Sequence, residues 1–291
     1  MNSQAILITA YKNINQLKQL INFFPERYII YIHIDLKSDI KLTDFNFKNV
    51  HVFKKYVVNW GGFNHLKAIV FLAEQALKSE HDYYHLISGQ DFPAKTIQYF
   101  DQLDLTLNYI DYFPLPYKNW SGNGGIDRLD KFNPYDVYDA KTEKGGYKIN
   151  NFNNTKARIR EKYYDQFPIK LYGGSTWWSL NKEAISYVNN FIADHPSFYK
   201  RFRFSFASEE IFYQTILANS PLKKSLINNN LRYIDWENPS RGFPAYLDKT
   251  DYGKILFSPS LFARKLSAKQ AIHFEQYVKN MISCLKYVNQ Y

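Results

Sequence analysis

The sequence predicts an α/β fold: a doubly wound, mostly parallel sheet flanked by helices, in a single domain. Three observations predict it. Short apolar or β-branched runs alternate with segments of helical period through the first half of the chain. Polar turns follow the ends of those runs, where open parallel sheets bind their ligands. No repeat, low-complexity tract or linker divides the 291 residues, a length that buries a substantial core.

Residues 5–9 are a continuous apolar run, the first strand, and Ile14, Leu17, Leu20, Ile21 and Phe24 then recur at helical spacing. Residues 28–34 read as a second strand and 51–53 as a shorter third. Leu66, Ile69, Val70, Ala73 and Leu77 give a second amphipathic helix, and residues 83–87 another strand. Three stretches fall at strand ends: Ala10-Tyr11-Lys12, Asp35-Leu36-Lys37-Ser38, and the turn from Ser88 to Pro93 that contains Asp91. A carboxylate at such a place can accept hydrogen bonds from ribose hydroxyls or a base edge. The plainer reading is that Asp35 opens a turn and Pro93 ends a strand. Asn59-Trp60-Gly61-Gly62-Phe63 is a tight turn leading into the second helix. With no Gly-x-Gly-x-x-Gly and no Gly-Lys-Ser/Thr, a dinucleotide enzyme or P-loop nucleotidase is disfavoured.

Residues 113–156 read as a long irregular insert rich in Tyr, Trp, Asn, Gly and Lys, with Asp127, Arg128 and Asp130 as its polar cluster. Exposed rings beside Asn and Asp suit a sugar-binding lining, and a loop packed by its own rings explains them equally well. Beyond it, Gly173-Gly174-Ser175-Thr176-Trp177-Trp178 is a glycine turn entering an aromatic strand, followed by a helix using Ala184, Ile185, Val188 and Ile192. Residues 204–217 form a polar turn carrying Glu209 and Glu210 that runs into a helix from Glu210 onward. Both carboxylates would sit in its first turn, where backbone N–H groups and the macrodipole favour an ionised general base. The bland alternative is that Ser208 caps the helix and the glutamates only complement its dipole. Residues 231–236 are a strand ending at Trp236. Arg241, in a Pro/Gly-flanked loop, and Lys265, after a short apolar run, are cations that could stabilise a diphosphate leaving group, or simply surface charges. Asp-x-Asp, the usual metal-holding signature of nucleotide-sugar transferases, is absent.

Aromatic residues make up 18% and charged residues 22% of the chain, too hydrophobic for disorder. The single cysteine, Cys284, excludes an internal disulfide and a multi-cysteine metal site. No secretory leader and no apolar run near the roughly 20 residues of a membrane span is present, so the expected location is cytoplasmic. The net charge of +10 suits nucleic acid, an anionic membrane face or a phosphorylated substrate. Scattered lysines disfavour nucleic acid. Residues 268–288 are amphipathic: they pack on the domain or, through Lys269, Lys279 and Lys286, touch the inner face of the cell membrane.

The stretches IYIHIDLKSD, NWGGFNHL, HLISGQDFPAKT, GGSTWWSL, ASEEIFYQTIL, LRYIDW and SLFARKL, in that order, resemble the core-2/I-branching β-1,6-N-acetylglucosaminyltransferase family, which also holds the peptide O-xylosyltransferases. NWGG is nearer the xylosyltransferase branch, and the lack of stem, anchor and cysteines suggests a bacterial member. The resemblance implies a GT-A fold and inverting transfer from a UDP-sugar with no metal or other cofactor. It implies Glu210 as the base, Arg241 and Lys265 on the diphosphate, Ala10, Tyr11 and Asp35 on the nucleoside, and Trp236 on the acceptor. Trp60, Asp91, Ser175, Trp177 and Glu209 join Trp236 as acceptor-side or sugar-side candidates. Residues 1–112 would form a nucleotide-binding half, 113–168 an acceptor-side insert and 169–291 the catalytic half. The donor sugar would be GlcNAc or xylose. The acceptor would be a glycan, lipid-linked in one version, in bacterial surface polysaccharide synthesis. The rival reading is a carbohydrate-binding or assembly module that kept the fold and lost catalysis; retention of Glu210 and Lys265 argues against it.

Overall fold

The computed structural model describes residues 3–156 and 169–288. In chain order its strands are β1 (Gln4–Ala10), β2 (Ile29–Ile34), β3 (Val50–Phe53), β4 (Tyr83–Ser88), β5 (Phe92–Pro93) and β6 (Asn108–Ile110). They continue with β7 (Phe113–Pro114), β8 (Tyr172–Gly173), β9 (Trp178–Asn181), β10 (Leu226–Ile227), β11 (Arg232–Ile234) and β12 (Phe262–Arg264). Among the described residues, seven of them form the central sheet in the order β10-β6-β9-β4-β1-β2-β3. β1 pairs in parallel with both β2 and β4, and β3 continues in parallel beyond β2. The α/β expectation and its mostly parallel sheet therefore hold. β9 runs antiparallel between β4 and β6, a reversal no local pattern announced. A smaller sheet, β11-β12-β5, and the pair β7-β8 lie beside it.

Helices cover both faces because β1 sends alternate side chains to each. Ala5 and Leu7 enter one core with Leu66, Ile69 and Leu72 of α2 (Phe63–Ala76), Ile185 and Phe212. Ile6 and Ile8 enter the other with Leu17 and Leu20 of α1 (Ile14–Phe23), Phe100 and Phe262. The C-terminal helix Ala268–Val288 joins this second core through Ala271, Phe274 and Val278, so over this part it packs on the domain. The side chains of Met281, Ile282, Leu285, Lys286 and Val288 in that helix, and residues 157–168 of the insert, lie outside the described residues. Among the described residues no helix is long and apolar enough to cross a membrane.

The two sheets are joined by Arg232, which is buried and spends its guanidinium on carbonyls. Nη2 donates to Leu86 O at 2.8 Å and Trp178 O at 2.7 Å, and Nη1 donates to Ser179 Oγ at 2.8 Å and to Asn230 O. Burial pushes this guanidinium down to about 9, opposed by Asp91, Tyr83 and Asp111. It therefore stays charged at neutral pH, and β11–β12 is held against β4 and β9.

Two local expectations change. The insert is not simply irregular: it contains the helix Glu143–Lys156 and short turns at Ser121–Gly124 and Asp127–Asp130. The glutamate helix does not begin at Glu210. Ser208–Glu210 is a single 3₁₀ turn, and the α-helix runs Phe212–Ala218. The break has a cause: Gly174 N donates to Glu210 O at 2.8 Å, which draws that carbonyl out of the helical ladder. Nor does Ser208 cap the turn. Its buried hydroxyl meets no hydrogen-bond partner, and Ala207 stands at the cap position in the left-handed region.

Candidate active site

The parallel strands end together. Ala10 lies opposite Ile34 and Thr9 opposite Ser88, while Asp35 N donates to Ala10 O and Gly89 N to Thr9 O. The turns beyond these ends, the insert and the 207–210 turn meet there. Four backbone hydrogen bonds fix the glutamate turn among them: Ala207 N to Gly61 O at 2.8 Å, Phe206 N to Arg128 O at 2.9 Å, Asn133 N to Phe204 O at 2.8 Å, and the Gly174 bond already noted. Gly61 is required as glycine. Its φ is +75°, and an added Cβ would stand 2.5 Å from a ring carbon of Phe206. Gly61→Ala should cost about 1–3 kcal/mol from the backbone strain alone, measured by denaturant unfolding. It should also disturb activity by displacing the glutamate turn.

Glu210 and Glu209 have different environments. The Glu210 side chain keeps 32% of its surface open to solvent, whereas that of Glu209 keeps 7%. Arg128 Nη1 donates to Glu210 Oε2 at 2.6 Å, and the Arg128 guanidinium lies 3.6 Å from the centre of the Trp120 ring. Desolvation raises the Glu210 carboxyl above its ordinary range, and the Arg128 charge and hydrogen bond pull it back down. The charge that opposes desolvation at Glu210 is thus a guanidinium from the insert, where the sequence pointed to a helix terminus. Glu209 instead bonds His65 Nδ1 at 3.0 Å, and the other ring nitrogen of His65 lies 3.3 Å from Thr9 Oγ1. Glu209 Oε2 is buried with no hydrogen-bond partner.

Arg264 is the second guanidinium felt by Glu210. Burial lowers its pKa, and the charges of Asp91 and Glu210 oppose that. It stacks 4.2 Å from the centre of the Trp177 ring, and its Nε is 3.4 Å from Asp91 Oδ1. Asp91 is therefore a fully buried brace whose Oδ2 accepts from Ser88 N at 2.8 Å; an acceptor sugar cannot reach it. Trp177 is buried against Arg264. Ser175 holds the turn, its carbonyl accepting from Gln214 Nε2 at 2.6 Å. Trp60 is exposed and edge-on to Tyr135 and Phe206. Trp236 is 53% exposed and packs edge-on against the still more exposed Phe243.

On the nucleotide side, Ala10 is buried at the end of β1 and Tyr11 is exposed beside it. Asp35 is buried, with Oδ1 accepting from Lys37 N at 3.0 Å and Val58 N at 3.1 Å. The ammonium of Lys265 lies 4.7 Å from the centre of the Tyr246 ring. Arg241 departs from its expected role. Its guanidinium meets Asp251 at 2.7 Å, Asp235 at 2.9 Å and Asp248 at 3.0 Å, so three carboxylates already neutralise it. Its proton is held far above the usual range, chiefly by the Asp251 hydrogen bond. Arg241 staples the 235–251 loop and is not left free for a phosphate.

Sequence reasoning missed His65 and Arg264 as neighbours of the glutamates. Arg264 had a signal, standing first of the two cations in Ala263-Arg264-Lys265; His65, on an amphipathic helix, had none.

The model of the family described as Core-2/I-Branching enzyme matches residues 5–256. The chain is similar to beta-glucuronosyltransferase GlcAT14A of Arabidopsis thaliana, 25% identical over 240 residues, or 78% of this chain and 49% of that protein. It is similar to xylosyltransferase 2 of Rattus norvegicus, 25% identical over 251 residues, or 79% of this chain and 26% of that one. It thus spans half or less of the length of these curated relatives. Among solved structures, galactosyltransferase LgtC aligns over 95% of both chains at 9% identity and a TM-score of 0.44, a likeness too slight to carry weight.

Proposed function

The chain belongs to the Core-2/I-Branching enzyme family, and on that premise we propose that it is an inverting glycosyltransferase moving a sugar from a UDP-sugar to a hydroxyl of a glycan acceptor. The observation that carries this reading is the Glu210 carboxylate: about a third open to solvent, aimed by Arg128 at 2.6 Å and fixed by backbone bonds from three separate segments. Glu210 takes the proton of the acceptor hydroxyl as that oxygen attacks the anomeric carbon from the face opposite the diphosphate. The bond from carbon to the diphosphate oxygen breaks, and UDP leaves with the electron pair. Lys265, next in the chain to Arg264, meets the charge growing on the leaving group. The exposed rings of Trp236 and Trp60 suit the apolar faces of sugars.

The relatives' names speak of glucuronosyl and xylosyl transfer, which adds UDP-glucuronate to UDP-xylose and UDP-GlcNAc as donors to test. We further propose that transfer needs no divalent ion. Support comes from Asp235, Asp248 and Asp251, carboxylates of the kind that hold metals, which are instead drawn onto Arg241. The test is UDP release from each donor with glycan acceptors, with and without EDTA. The expected rate is the same in both. Loss in EDTA with recovery in Mn²⁺ overturns the metal-free step, and no UDP release from any donor with any acceptor overturns the activity.

A further inference from the structure

We propose that Lys141, carried by the insert, completes with Lys12 and Lys265 a three-lysine cradle for the diphosphate of the nucleotide, in the place first expected for Arg241. The inference rests on the nucleotide-sugar reading above and deepens it.

The three lysines come from distant parts of the chain and converge on two tyrosines. Lys12 follows β1, and its Nζ lies 5.1 Å from the centre of the Tyr11 ring. Lys141 Nζ lies 5.4 Å from the same ring. Lys265 Nζ is 4.7 Å from the Tyr246 ring, whose hydroxyl accepts from Gln90 Nε2 at 3.3 Å. The Tyr246 phenol is held below its ordinary range by that hydrogen bond and by the fields of Lys12, Lys265 and Lys141, so the charges of all three reach one group. The place is the end of β1 and the turn after β4, where a parallel sheet presents its ligand site.

Charge accounting separates these lysines from the rest of the neighbourhood. Among the described residues, no carboxylate lies at ion-pair distance from any of the three ammonium groups. Asp139, two residues before Lys141, is paired with Lys37 Nζ at 2.5 Å; its Oδ1 accepts from Lys141 N at 3.0 Å and it feels the Lys141 charge after that of Lys37. Arg241, close by through the Tyr246 N to Arg241 O bond, is neutralised three times over. Three like charges held together repel one another, and an anion spread over two phosphates relieves that repulsion. The insert can deliver Lys141 because it is pinned to the nucleotide half. Asn59 Nδ2 donates to Tyr135 O at 2.8 Å, and Asn64 N donates to Asp136 Oδ1 at 3.0 Å. The same insert supplies Arg128 to Glu210. It therefore reaches both Glu210 and the Tyr11 ring, where the sequence placed it on the acceptor side alone.

The test is calorimetric titration of the whole chain with UDP and, separately, with uridine, using Lys12→Ala, Lys141→Ala and Lys265→Ala, with circular dichroism to confirm folding. Lys224→Ala, an exposed lysine far along the chain from the cluster, is the control. Each of the three variants should weaken UDP by about tenfold, the lower end for a charged hydrogen bond. Uridine affinity and the control should not change. Lys141→Arg should recover most of the loss. If Lys12→Ala and Lys141→Ala bind UDP as the wild type does, the cradle is wrong and the transferase reading stands. If uridine weakens as much as UDP, the lysines act on the nucleoside or the fold and the cradle is again wrong. If the wild type binds no UDP, the transferase reading itself fails.

Discussion

Glu210→Gln should reduce transfer by about 10²–10⁴-fold, the usual contribution of a positioned general base, while leaving the fold and UDP affinity intact. The amide keeps the shape of the side chain and an oxygen for Arg128, so the 207–210 turn keeps its backbone bonds to Gly61 and Gly174. What is lost is the acceptor for the hydroxyl proton. The loss should fall on kcat, with little change in the KM for the donor. Glu209→Gln is the informative companion. Glu209 is buried on His65, so its replacement should perturb stability and positioning without removing the base. A Glu210→Gln enzyme that retained near-full turnover would show that the proton goes elsewhere.

Arg128→Gln should move the acid limb of the pH profile to higher pH. The sign follows from the surroundings of Glu210: desolvation raises its carboxyl and Arg128 lowers it, so removing Arg128 leaves desolvation less opposed. A base works only when ionised, so activity is lost as pH falls through the folded-state pKa, and raising that pKa shifts the loss upward. The acid limb of kcat/KM should therefore stand at higher pH in the variant than in the wild type. Activity near neutrality should fall, with partial recovery at higher pH. Arg128→Lys, which keeps the charge and loses the planar fork, should restore the limb more than the turnover. An unmoved limb would mean that Arg128 serves only to pack against Trp120.

The first half of the fold was legible because strand and helix periods are local. Residues 5–9 and 83–87 read as strands, and they are the cores of β1 and β4. The short strands β6 and β10 were not legible. Three and two residues long, they carry no period of their own and exist only because the neighbouring edge is there to pair with. The antiparallel seat of β9 was missed for the same reason, since direction is set by how the chain returns from the insert. At the site, Glu209 and Glu210 stood out as an acidic pair in a polar turn, but the local pattern did not distinguish them; only the family resemblance did. That distinction lies in Arg128, 82 positions away, and in His65, 144 positions from Glu209.

By itself, then, the sequence determined the longer elements of the first half, the strand ends at which a ligand site forms, and the family to which the chain belongs. These depend on side-chain type and near-neighbour spacing, which any stretch carries with it. Only the tertiary structure decided which cations are spent and which are free. Arg241 and Lys265 look alike in a sequence, but one folds back onto three aspartates and the other lies over the Tyr246 ring. Charge pairing acts over a few ångströms between residues far apart in the chain, so its outcome is fixed only when the loops close on one another.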